Sequence, residues 1–156
     1  MKIETILVPT DLSLRSLAAV ERAIELASEH QSEIVLVHVI EPLPRGVGRW
    51  SDPTQLLEQS ANDARARLEH FTERASGMYP KCTSELHFGN VHEVISQRAR
   101  SLNVDLIVVA TRSRPRSFDL MMRSVAEKLV REAPCLVLAV RVEDSVDKEG
   151  HQAALA

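Results

Sequence analysis

The chain has 156 residues, enough for one domain with a sizeable core, and its 44% hydrophobic and 26% charged residues exclude a disordered or membrane protein. A formal net charge of -3 excludes a global pull toward nucleic acid or anionic lipid, so neither nucleic acid nor a membrane is expected as a partner and any basic site must be local. Aromatic residues are only 3%, so the core is expected to be filled by Leu, Ile, Val and Ala.

No apolar run approaches the ~18 residues of a membrane span. The acid in Met1-Lys2-Ile3-Glu4 stands where a secretory signal would continue its apolar region, and a cytoplasmic location is the expectation. Cys82 and Cys135 are too few for a disulfide framework and have no partner at metal-ligand spacing, so both are expected to be reduced thiols.

Ile3 to Val8 is predicted as a buried first strand, ended by the turn Pro9-Thr10-Asp11-Leu12-Ser13. Ser13 can cap the next helix, although Ser16 in place of Glu leaves the capping box incomplete. Leu17, Val20, Ile24 and Ala27 recur at helical spacing, predicting an amphipathic helix to about His30. Glu33 to Ile40 is rich in β-branched residues and is predicted as the second strand, within which His38 is expected to be a strand histidine with one satisfied hydrogen bond.

The segment from Glu41 to Pro53 holds Pro42, Pro44, Gly46, Gly48 and Trp50 and is predicted as a mobile loop. A long helix should follow from about Thr54 to Ser76, with Leu57, Ala61, Ala64, Leu68, Phe71 and Ala75 on one stripe and Gly77 as its stop. Lys81 to Phe88 alternates loosely, as a strand nearer the sheet edge would. Gly89-Asn90 then turns into a helix carrying Val91, Val94, Ile95 and Ala99. Leu106 to Ala110 is a continuous apolar run expected to be buried on both faces. After it come a basic loop from Arg112 to Ser117, a helical pattern from Phe118 to Glu132 and a second apolar run, Cys135 to Val140. The order β-α-β-α-β-α-β-α-β predicts an α/β domain over residues 1–142 with a parallel sheet, helices on both faces and right-handed crossovers. Residues 143–156 lose periodicity and are expected to form a flexible tail.

Several chemistries are excluded. Pro9 to Ser13 contains no glycine, so neither a dinucleotide fingerprint nor a phosphate-cradling P-loop follows the first strand. Phe88-Gly89-Asn90 offers no acidic phosphoacceptor at the end of the third strand, and no nucleophile elbow with flanking glycines exists. The six histidines are scattered, with no metal-ligand spacing. No pair of titratable groups is placed to divide acid and base roles, so no catalytic residue and no enzyme is expected.

Five blocks in order, ILVPTDLSLRSLAAVERAIELA, IVLVHV, FGNVHEVISQRA, DLIVVATRS and RSVAEKLVREAPCLVLAV, make the chain from about Ile3 to Val142 similar to the universal stress protein family. The resemblance implies a Rossmann-like five-stranded sheet of order 3-2-1-4-5 and a homodimer, here expected through the last strand, Cys135-Val142. Its closing apolar strand would lie at an edge with Arg141 as the only gatekeeper.

The resemblance also implies a nucleotide pocket of Pro9, Thr10, Asp11, Val39, Ala110, Arg112, Ser113, Arg123, Ser124 and Val125, with ATP or AMP as the ligand. Asp11 would contact the ribose, the Val39 backbone the adenine, and Ser124 with the arginines the phosphates. Nucleotide-binding members resemble the pattern G-x-x-G, nine residues, then G-S or G-T, in which bare backbone amides approach the phosphates. Here Ala110, Ser113 and Arg123 replace all three glycines and only Ser124 matches. Against that, Arg112, Arg114, Arg116 and Arg123 with Asp119 give the loop a local charge of +3, four minus one, and guanidinium groups bind phosphate bidentately. The expected protein is a dimeric, non-enzymatic stress-response module degenerate at its glycine loop; the alternative is an adenine-nucleotide sensor.

Overall fold

A computed structural model describes residues 2–42, 53–112 and 125–142. Its elements are β1 (Thr5–Pro9), α1 (Leu14–His30), β2 (Glu33–Ile40), α2 (Pro53–Met78), β3 (Cys82–Phe88), α3 (Val91–Ser101), β4 (Leu106–Arg112), α4 (Val125–Glu132) and β5 (Leu136–Val142). All neighbouring strands run parallel in one sheet of order β3-β2-β1-β4-β5. That is the architecture expected above. The loop carrying Trp50, the stretch from Ser113 to Ser124 that includes the predicted start of the fourth helix, and the tail from Glu143 lie outside the described residues.

Side chains alternate across a strand, so each central strand feeds two core layers. Ile6, Val8, Ile34, Leu36, Leu106 and Val108 pack with α1 residues such as Val20 and Ala23 and with Ala75 of α2. Leu7, Val35, Val37, Ile107 and Val109 face the other way and pack with Ile95 and Ala99 of α3 and Leu129 of α4. Burial on both faces is why these strands are written as unbroken apolar runs. Ile6, Leu36 and Ile107 are fully buried, and each contributes about 1.5–3 kcal/mol by leaving water.

The amino end of the sheet is closed by side chains. Asp105 Oδ2 accepts from the N–H groups of Glu4 (2.8 Å) and Thr5 (3.0 Å) at the start of β1, which begins at Thr5 and not at the predicted Ile3. Tyr79 Oη donates to the Ser32 carbonyl at 2.7 Å, and Ser32 Oγ donates to the Ile3 carbonyl at 2.6 Å.

Gly77 does not stop α2, which continues to Met78. The stop is set by Pro80, because the residue before a proline is pushed out of helical geometry. Gly89 does make the turn assigned to it, with φ +133° and its N–H donating to the Ile40 carbonyl at 3.1 Å. β3 lies at a sheet edge, as its loose alternation suggested. β5 forms the other edge and leaves Leu136 52% and Leu138 37% exposed.

Candidate functional site

The sheet changes direction of winding between β1 and β4, and there the two strands part. Their ladder comprises Ile6↔Leu106 and Leu7↔Ile107, while β1 runs on to Pro9 and β4 to Arg112. Even-numbered residues of β1 bond toward β2, as the Thr10 N–H to Val37 carbonyl bond of 2.9 Å shows. Odd-numbered ones therefore face β4, and the next in line is Pro9, which has no N–H to give. β4 continues by pairing with β5 as far as Arg112↔Val142. A crevice opens at the carboxyl ends of β1 and β4, the position where open α/β sheets hold ligands.

The turn leaving β1 forms one wall. Leu12 sits at φ +63°, a left-handed conformation that is unfavourable for a γ-branched side chain. Three bonds hold it there: Leu12 N–H to Thr10 Oγ1 (2.9 Å), Ser13 N–H to Asp11 Oδ1 (3.0 Å) and Asp11 N–H to Ser16 Oγ (2.9 Å). Ser13 and Ser16 both also donate their hydroxyls to Asp11 Oδ1. Ser13 caps α1 as expected, accepting from Ser16 N–H at 3.3 Å. The incomplete capping box is thus completed from outside the helix, by Asp11 bonding to both serines.

All these bonds fall on Oδ1 of the exposed Asp11 residue and fix its carboxylate in a rigid frame. Partial burial works against the charge, but the bonds from Ser13 and Ser16 outweigh it and hold this carboxyl below the usual range. A carboxylate fixed in this way can accept hydroxyl donors from a ligand at neutral pH.

The structure gathers Pro9, Thr10, Asp11, Val39, Ala110 and Arg112 at the carboxyl ends of β1, β2 and β4, with Val125 opening α4. Thr10 is buried. Ala110 is half-buried, with its methyl packed against the core layer beneath α1, and Val125 packs against the opposite layer. Ser113, Arg123 and Ser124 lie outside the described residues.

His38 bonds through Nδ1 to the Thr10 carbonyl at 2.8 Å, the single partner expected of it, and so reaches the β1 turn. A second polar cluster is away from the crevice and was not foreseen. Glu85 on β3 receives Arg98 of α3 at both oxygens, 2.8 and 2.6 Å, and His87 Nε2 at 2.8 Å. The Arg98 hydrogen bonds hold the Glu85 carboxyl below its ordinary range. Their sequence separation hides the pair until the β3-α3 crossover folds. Among the described residues no group of three or more His, Cys, Asp or Glu is placed to hold a metal ion, and no helix is long and apolar enough to cross a membrane.

An open parallel α/β sheet of order β3-β2-β1-β4-β5 belongs to the Rossmann-like class. The Universal stress protein family model matches residues 2–141, and the chain belongs to that family. It is 32% identical over 150 residues to a universal stress protein A homolog of Coxiella burnetii, a match covering 92% of this chain and 100% of the relative. The crystal structure of a universal stress protein in complex with cAMP superposes with a TM-score of 0.72 at 21% identity, covering 90% of this chain and 98% of that one. A family protein from Arabidopsis thaliana with AMP bound superposes with a TM-score of 0.59 at 18% identity, covering 91% and 94%.

Proposed function

We propose that this protein is a non-enzymatic stress-response module that binds an adenine nucleotide at the β1-β4 crevice, favouring one phosphate over three. The observation that carries the reading is the Asp11 turn, where two serines and a backbone N–H hold one oxygen of an exposed carboxylate that can take ribose hydroxyls. Val39, on the β1 side of β2 and beyond the Val37 rung, offers its N–H and C=O for the base. The ligands of the two structural neighbours, cAMP and AMP, are of this class. Ala110 spends its methyl on the core, Ser113 and Arg123 stand in sequence where the triphosphate-binding pattern has glycine, and the arginines between 112 and 123 add local positive charge suited to a single phosphate. The Asp11 carboxylate is held by two serines and one backbone N–H, with the Arg15 charge also acting on it, an arrangement for binding and not for turnover.

Calorimetric titration with AMP, cAMP and ATP tests this. Heat is expected for AMP or cAMP, with ATP weaker; no heat at millimolar nucleotide would end the reading.

The same proposal includes a homodimer through the last strand, Cys135-Val142. Leu136 and Leu138 are exposed on a parallel edge strand. Exposed apolar edges invite pairing with another chain. Sedimentation should give a dimer at micromolar concentration, and Leu138→Arg should shift it to monomer; a monomeric wild type would contradict the proposal.

A further inference from the structure

Val39 stands where β1 and β2 separate. Within the sheet, odd-numbered residues of β2 turn their N–H and C=O toward β1 and even-numbered ones toward β3, as the Thr10 N–H to Val37 carbonyl bond (2.9 Å) and the Gly89 N–H to Ile40 carbonyl bond (3.1 Å) illustrate. The next rung of a regular parallel ladder would join Val39 N–H to the Thr10 carbonyl. Instead that carbonyl is met by His38 Nδ1 at 2.8 Å. A carbonyl oxygen can only accept, so Nδ1 carries the proton and donates. A side chain has replaced a backbone rung.

We propose that His38 is a positioning residue that occupies the Thr10 carbonyl and thereby keeps the Val39 peptide free to meet the edge of a purine base. The inference rests on the nucleotide reading above and adds a residue to it. N–H and C=O of one strand residue point the same way, so Val39 presents a donor beside an acceptor. That pair complements the ring-nitrogen acceptor and amino donor on the Watson–Crick edge of adenine. The same bond ties the β2 end to the turn that carries Asp11, so one half-buried ring links the base side of the crevice to its ribose side. Without the ring, the Thr10 carbonyl has the Val39 N–H as its nearest backbone donor in register. The ladder would then extend by one rung and take the donor away from the ligand.

The test compares wild type with His38→Leu, which keeps bulk and loses the donor, and His38→Asn, which returns an N–H near the position of Nδ1. Three readouts are needed: Val39 amide exchange without ligand, nitrogen chemical shifts of the His38 ring, and AMP affinity. In wild type Val39 should exchange much faster than Val37, and Nδ1 should be the protonated nitrogen. His38→Leu should slow Val39 exchange and weaken AMP about tenfold, a loss of ~1.4 kcal/mol, with His38→Asn recovering both. A Val39 amide as protected as Val37 in wild type would overturn the proposal, and so would a neutral ring protonated only at Nε2. Equal loss of affinity in both variants with Val39 exchange unchanged would reduce His38 to packing and also overturn it. If wild type binds no AMP, the nucleotide reading fails, while Val39 exchange and the ring tautomer still decide the latch. Should His38→Leu fail to fold, wild type and His38→Asn decide by the same measures.

Discussion

At the amino end of the sheet the closing bonds reach across the sequence, whereas those around the Asp11 carboxylate at the carboxyl end stay within one turn. Asp105 meets Glu4 and Thr5 from about a hundred residues away, and Tyr79 reaches back to Ser32. Asp11, by contrast, finds its partners no further than Ser16. Long-range bonds exist only when the whole fold is assembled, so they report on global stability. Local ones can hold a strained turn and fix a side chain with little bearing on the rest. The two ends should therefore respond to substitution in different observables.

Asp105→Ala strips two backbone N–H groups of a charged acceptor and should cost about 2 kcal/mol in urea unfolding while leaving AMP affinity unchanged. Gly89→Ala is the case most able to break the contrast. It sits at the carboxyl end but has φ +133°, and an added Cβ would come within 3.2 Å of Val94 Cγ2. A loss of about 1–2 kcal/mol in the same assay is expected.

Asp11→Asn should sharpen the contrast in the opposite direction. It should weaken AMP roughly tenfold by calorimetry, equivalent to ~1.4 kcal/mol, with a much smaller change in unfolding. The folded carboxyl of Asp11 titrates below its ordinary value, so whatever stability its charge gives is present above the usual carboxylate range and is lost as pH falls through the folded value.

Glu85 follows the same sign for a different reason, its pairing with Arg98. Glu85→Gln should cost about 1 kcal/mol at neutral pH. The gap to wild type should close as urea melts are repeated at pH values falling through the carboxylate range, and a constant gap would deny the ion pair its role. The smallest effect is a chemical one. Burial pushes the Cys82 thiol up to about 11, so it should resist alkylation at neutral pH in the folded protein and react on unfolding.

Much of this fold is legible in the residues because both faces of the central strands are buried. Ile34 to Val37 and Leu106 to Val109 had to be apolar throughout, and that run is visible without coordinates. The Ser13 cap was legible for another reason, because capping is a local rule. Gly77 was misjudged because a glycine in an exposed helical turn costs only about 1 kcal/mol relative to alanine, less than the stop imposed by Pro80. The site was harder to read. Asp11 and Ser16 look unrelated until Leu12 enters the left-handed region and folds the turn over. Glu85 and Arg98 meet only because a strand and the following helix pack side by side. His38 was legible as a satisfied histidine, but its partner depended on the register of two strands.

The β1-β4 ladder ends where Pro9 has no hydrogen to give. Given an amide at that position, β1 would have a donor facing β4 and the two strands could zip onward past Leu7↔Ile107. An alanine there would lengthen the sheet and narrow the cleft in the same step. In this fold, a more regular sheet and a roomier ligand seat are competing outcomes of a single backbone position.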